Sequence, residues 1–207
     1  MRGPARRLLE EAVRRRRVAQ YRALSTCRDV RGTPVVLQPL LLLGRGTIVL
    51  GRDVEFGWPL SPQFWTGYCH LEAHSPGSVI EIADGAQINN NAYLKSEGPG
   101  IRIGASALLG SGVEILDSDF HELHPARRRG GTPRMAAVEL GENVFIGNGV
   151  RILKGVTIGA HSVVGAGSVV TSSIPEGVIA GGNPARVLRE LPSAEERPQN
   201  PVQHGHG

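Results

Sequence analysis

From Leu140 onward an aliphatic residue returns at every sixth position, through Ile146, Ile152, Ile158, Val164 and Val170, and glycine directly follows four of the six. Earlier blocks keep the same period: Val36, Leu42, Ile48 and Val54; then Ile82, Ile88 and Leu94; then Ile103, Leu109 and Ile115. A period of six matches neither the 3.6 of an amphipathic helix nor the 2 of an alternating strand. It relates whole short strands to one another. A prism of three flat faces satisfies it, with one hexapeptide per face, the aliphatic residue pointing inward and small residues turning the corners. Hydrogen bonds then run from coil to coil at about 4.8 Å.

The beat therefore predicts an all-β solenoid, a parallel β-helix of about five or six coils within a domain covering residues 36–191. Its open ends need covers. Residues 1–35 are expected as a basic N-terminal cap, with a helix over 4–24 and a modest apolar stripe of Leu8, Leu9, Ala12 and Val13. The segment "ARVLREL" after "GGNP" is expected as a C-terminal cap helix, and residues 192–207, polar and proline-containing, as a disordered tail. The insert "SEGPG" shifts the phase between two blocks and is expected at a corner. Residues 60–78 keep the beat poorly and hold Phe64, Trp65 and Tyr68, just downstream of Phe56 and Trp58. They read as a loop packed on the outer face, with a substrate-binding lip as the alternative.

Glycine, at 28 residues, would otherwise suggest a flexible chain, but a flexible chain does not hold a register. Cys27 and Cys69 are the only cysteines, too few for a disulfide framework and without paired zinc-ligand spacing. Free thiols in a cytoplasmic setting fit them. The formal charge of +4 is concentrated in "RRLLEEAVRRRR", and nine aromatics make a poor stacking platform for nucleic acid. No signal peptide or membrane span is expected. Arg14 to Arg17 leave room for weak peripheral contact with anionic membranes.

Counting on from Ile115 puts the next inward slot at His121, and an imidazole is a poor filling for a dry core. The chain is expected to leave the prism as an excursion loop over 121–137 and to return at Val138 and Leu140. From the residues alone His121 is either a hydrogen-bonded histidine at the base of a loop or a functional base, with His124 as the next candidate.

The run "IGNGVRILKGVTIGAHSVVGAGSVVTSSIPEGVIAGGNPARVL", preceded by "DSDFH" and the excursion, resembles the hexapeptide-repeat acyltransferases, and among them the maltose, galactoside and polysaccharide O-acetyltransferases. The resemblance covers about residues 80–191. It implies a left-handed helix, a homotrimer, and acetyl-CoA in a groove between subunits, with no metal. It makes His121 the general base that deprotonates an acceptor hydroxyl on a sugar or glycan precursor. Asn89 falls at the family's acceptor-contacting asparagine, one residue uncertain because Asn90 and Asn91 follow. Asp119 is a further acceptor-site candidate, though Asp117 and Asp119 suit turn formation equally well. Phe145, Asn148, Ala166 and Thr171 match positions along the pantetheine arm, Ser172 stands at a frequent lysine, and Arg186 and Arg189 match basic positions that meet phosphates.

Three other functions remain open at this stage. An amino-sugar N-acetyltransferase would use the same base. A zinc enzyme of the γ-carbonic-anhydrase kind needs three convergent histidines, and the spacing here does not resemble that family. A non-enzymatic scaffold would need only the solenoid surface.

Overall fold

The computed structural model describes residues 3–192. A helix, α1, spans Pro4–Leu24, and the chain then winds into three flat sheets whose neighbouring strands are parallel, a left-handed parallel β-helix. The first face carries Asp29–Arg31, Thr47–Leu50, Val79–Ile82, Ile101–Ile103, Val138–Leu140 and Thr157–Ile158; the second carries Val35–Val36, Glu55–Phe56, Gln87–Ile88, Leu108–Leu109, Phe145–Ile146, Val163–Val164 and Val178–Gly182; the third carries Leu40–Gly44, Cys69–Ala73, Tyr93–Ser96, Glu114–Leu116, Arg151–Ile152 and Val169–Val170. The first and third faces thus have one strand from each of six full coils, and the second has a seventh, Val178–Gly182. The solenoid begins at Asp29, earlier than residue 36.

The inward slots stack in columns because successive coils pair in register. Ile82, Ile103, Leu140 and Ile158 lie over one another on the first face, Ile88, Leu109, Ile146 and Val164 on the second, and Leu94, Ile115, Ile152 and Val170 on the third. All are buried. The first block of the sequence pattern needs one correction. "GRG" at 44–46 lengthens the corner, so the slot above Ile82 belongs to Leu50 and the slot above Ile88 to Phe56, while Val54 sits fully buried at a corner. Residues 69–73 are also regular, with Leu71 in the third-face column between Leu42 and Leu94, so they divide the irregular residues into a stretch at 57–68 and a corner at 74–78.

Both ends differ from expectation. The C-terminal segment is no helix: Ala185–Glu190 is a strand that turns back after "GGNP" and pairs antiparallel with Val178–Gly182. A seven-residue helix is marginal by itself, whereas the reversed strand finds a ready ladder at the open edge. At the other end α1 forms as predicted, but Leu8 and Leu9 are exposed and the packed face is polar. Arg14 donates to the carbonyl of Val36 at 3.0 Å, Arg17 donates to those of Phe64 and Gly67, and Tyr21 stacks on Tyr68 at 4.7 Å. Arginines with long apolar stems dock on main-chain carbonyls, one at the edge strand of the first coil and two in the irregular stretch. Two of the four arginines expected to face a membrane are thereby turned inward, and Arg15 pairs with Glu11. The expected tail lies, beyond Pro192, outside the described residues.

Candidate active site

The chain leaves the prism after Glu114–Leu116 on the third face, one step before His121. Asp117 is fully buried there, and its carboxylate accepts from Ser96 Oγ and from the backbone N–H groups of Glu97, Gly98 and Gly100. It therefore ties the "SEGPG" corner of the preceding coil, and the turn-forming alternative holds for it. The excursion is closed at its base by a bridge between Ser118 and Met135 and by backbone bonds from Asp119 to Arg134 and from Ala136 to Asp117. Phe120 adopts φ +59, uncommon outside glycine, with its ring 5.1 Å from the Lys95 ammonium. The next residue, His121, is exposed.

Asp119 Oδ1 meets Lys154 Nζ at 2.7 Å, while its buried Oδ2 has no hydrogen-bond partner. Lys154 was not singled out from sequence. Its signal was positional, since it follows the third-face strand one coil after the loop. His124 Nδ1 accepts from the Ala126 N–H at 3.3 Å and caps the short 3-10 turn Pro125–Arg127, a structural duty for that nitrogen.

The remaining predicted residues fall on a different line. Asn89, Asn148 and Ala166 each follow a second-face strand and form a column along one corner, with Phe145 beside them on the face itself. A cleft of about 290 Å³ opens there, lined by Trp58, Ser61, Gln87, Asn89, Leu108, Phe145 and Asn148 among others. Phe145 is half-exposed in it at 49%. Asn148 also has a structural duty, its Oδ1 accepting from the Ser111 N–H at 2.9 Å. Arg186 and Arg189 lie exposed on the antiparallel strand at the late end of the same face. Thr171 and Ser172, by contrast, follow a third-face strand, on the same corner line as Lys154 and the base of the His121 loop.

The predicted site is thus divided within one chain between two corner lines. His121, Asp119, Thr171 and Ser172 lie along one; Asn89, Asn148 and Ala166 lie along the other, with Phe145, Arg186 and Arg189 on the second face beside it. His121 does not line the cleft.

Other titratable groups cluster on the third face. Glu72 meets His74 at 2.7 Å and lies within ion-pair reach of His70 and Lys95, each at 3.4 Å. Burial by itself would raise the Glu72 carboxyl, but His74 and Lys95 outweigh it and hold it low; burial pushes the His70 imidazole down. Among the described residues no group of histidine, cysteine and carboxylate has the arrangement of a metal site. Burial pushes the Cys69 thiol up to about 12, so it is inert as a nucleophile.

Residues 137–172 match the family model described as bacterial transferase hexapeptide, six repeats. The galactoside O-acetyltransferase of Escherichia coli is 39% identical over 117 residues, which cover 56% of this chain and 57% of that enzyme. WbbJ of the same organism, named as a candidate O-acetyl transferase of lipopolysaccharide biosynthesis, is 30% identical over 168 residues, covering 77% of this chain and 80% of that one. The solved hexapeptide-repeat acetyltransferase VCA0836 of Vibrio cholerae, complexed with acetyl-CoA, is 25% identical with a TM-score of 0.52, covering 89% of this chain and 84% of that one. No described helix is long and apolar enough to cross a membrane. On these likenesses the chain belongs to the hexapeptide-repeat acetyltransferases.

Proposed function

We propose that the protein transfers the acetyl group of acetyl-CoA to a hydroxyl of a sugar or glycan precursor, at sites that each combine two copies of the chain. The observation that carries this reading is the division of the site. An exposed histidine on one corner line and an open, apolar-walled cleft on another meet only when the His121 corner of one copy approaches the cleft of the next. A threefold arrangement closes such a head-to-tail contact and makes three equivalent sites. The cleft residues suit the donor: Phe145 and Leu108 offer apolar wall to a pantetheine arm, and Arg186 and Arg189 offer guanidinium groups to phosphates at the late end. The expected setting is the cytoplasm, where acetyl-CoA is available.

In the reaction, the His121 imidazole takes the proton of the acceptor hydroxyl. The oxygen bonds to the acetyl carbonyl carbon as the carbon–sulfur bond breaks, and the proton passes from His121 to the departing thiolate. The products are an ester and free CoA thiol. No covalent acyl-enzyme is required, which agrees with the inert Cys69. His121→Ala is expected to lower turnover by about 10²-fold or more, with the assembly and the calorimetric affinity for acetyl-CoA unchanged. An alanine variant that keeps its turnover removes His121 from the mechanism.

A further inference from the structure

Resting on the reading above, we propose that Trp58 is the stacking platform for the acceptor's sugar ring, and that the buried Asn90 side chain pins the backbone from which it projects. Trp58 follows the second-face strand Glu55–Phe56 and lines the cleft at 49% exposure. An indole left half in water is unremarkable on a loose loop, but the backbone that carries this one is pinned. The backbone N–H of Trp58 donates to Asn90 Oδ1 at 2.9 Å, and Asn90 Nδ2 donates back to the Trp58 backbone carbonyl at 3.0 Å. The same amide nitrogen lies 3.1 and 3.0 Å from the carbonyls of Ser61 and Pro62. Asn90 is fully buried, so its amide has no solvent to turn to and its hydrogen bonds are committed to one short segment.

That segment needs such a clamp because it follows no ladder. Residues 57–68 are turns and bends, and backbone without strand partners holds one conformation only if other groups satisfy it. The clamp has a functional consequence. An aromatic side chain with only two rotatable bonds, on a pinned backbone, offers a large contact area at little cost in conformational entropy. A sugar ring presents an apolar C–H face and a rim of hydroxyls, and the cleft answers both. Trp58 supplies a flat apolar surface, while Ser61, Gln87 and Asn89 bring polar groups to the same opening. Asn89 Nδ2 donates to Ser61 Oγ at 2.9 Å, which joins the lip to the corner column.

Position along the groove separates acceptor from donor. The second-face strands bearing Phe56, Ile88, Leu109 and Ile146 are consecutive neighbours, so Trp58 lies three strand spacings, about 14 Å, from the level of Phe145. Arg186 and Arg189 lie beyond Phe145 in the opposite direction. A donor anchored by its phosphates at the arginine end directs its thioester toward the early coils, and the early-coil wall is Trp58.

The chain has two tryptophans, so Trp65→Phe leaves Trp58 as the only indole fluorophore. In that background, titration with methyl β-galactopyranoside, methyl α-glucopyranoside and methyl α-mannopyranoside is expected to give a saturable change in emission for at least one. With that sugar as acceptor, Trp58→Ala is expected to raise the acceptor KM by about tenfold while leaving the acetyl-CoA KM within about twofold, and Trp58→Phe to recover part of the loss. Emission that responds to acetyl-CoA but to none of the sugars overturns the proposal and assigns the ring to the donor. An unchanged acceptor KM in Trp58→Ala overturns it as well. Acetyl-CoA binding, followed by calorimetry on the wild-type chain, reports separately on the transferase reading.

Discussion

The Asp117 carboxylate gathers three backbone N–H groups and one hydroxyl into a space closed to solvent, and each of those donors is stranded if it is removed. Asp117→Ala is expected to destabilise the fold by about 3 kcal/mol, read as a lowered urea midpoint at unchanged slope. Asp117→Asn, which keeps the shape and two lone pairs but loses the charge, should retain part of that. Four residues on, His121 differs in kind: it is exposed, and the role proposed for it depends on what arrives from another copy. The two positions also differ in how plainly they could be read. His121 stood out because an imidazole occupied an aliphatic slot. Asp117 did not, since nothing in a linear pattern distinguishes a carboxylate that ties the previous coil from one that merely turns the chain. Lys154 escaped notice for the same reason, its partner Asp119 being 35 positions earlier in sequence and one coil away in space.

Among the elements, the short strands tolerate little change at their exits because each corner lies directly against the corner of the next coil. A Cβ placed on Gly141 would sit 2.5 Å from the Ala160 nitrogen, whereas one on Gly112, at φ +68, would meet nothing within 4 Å. Gly141→Ala is expected to cost about 3 kcal/mol and Gly112→Ala about 1 kcal/mol, compared by denaturant midpoints measured side by side. Equal losses at the two positions would mean that the coils give way to backbone crowding. The six-residue beat made these strands legible, since each inward slot fixes a strand by itself. It made the ends illegible. "ARVLREL" has a helix-forming composition, but at the last coil an open edge is available and tertiary context overrides propensity. In α1 the helix was evident and its orientation was not, because docking through arginine to carbonyl groups leaves no hydrophobic signature.

At the level of the whole molecule, the proposed sharing of the site between copies predicts that assembly is a condition of activity. Leu108→Arg should obstruct the cleft and His121→Ala should remove the base, each inactive as a pure protein. If the two variants are refolded together in equal amounts, random assortment in a closed ring pairs an intact cleft with an intact histidine at about one quarter of the interfaces. Turnover near that fraction of wild type is the expected outcome; no recovery, with mixed assemblies demonstrated by mass, would place the whole site within one chain. One feature of the single chain bears on how such a protein can be altered. The excursion leaves and rejoins the solenoid at adjacent points, tied by the Ser118–Met135 bridge and the backbone bonds of Asp117 and Asp119. The peptide link between Gly130 and Gly131, at the far part of the loop, is therefore topologically dispensable. Chain ends could be relocated there, as in a circular permutant, and the coils before and after would still find each other through their ladders.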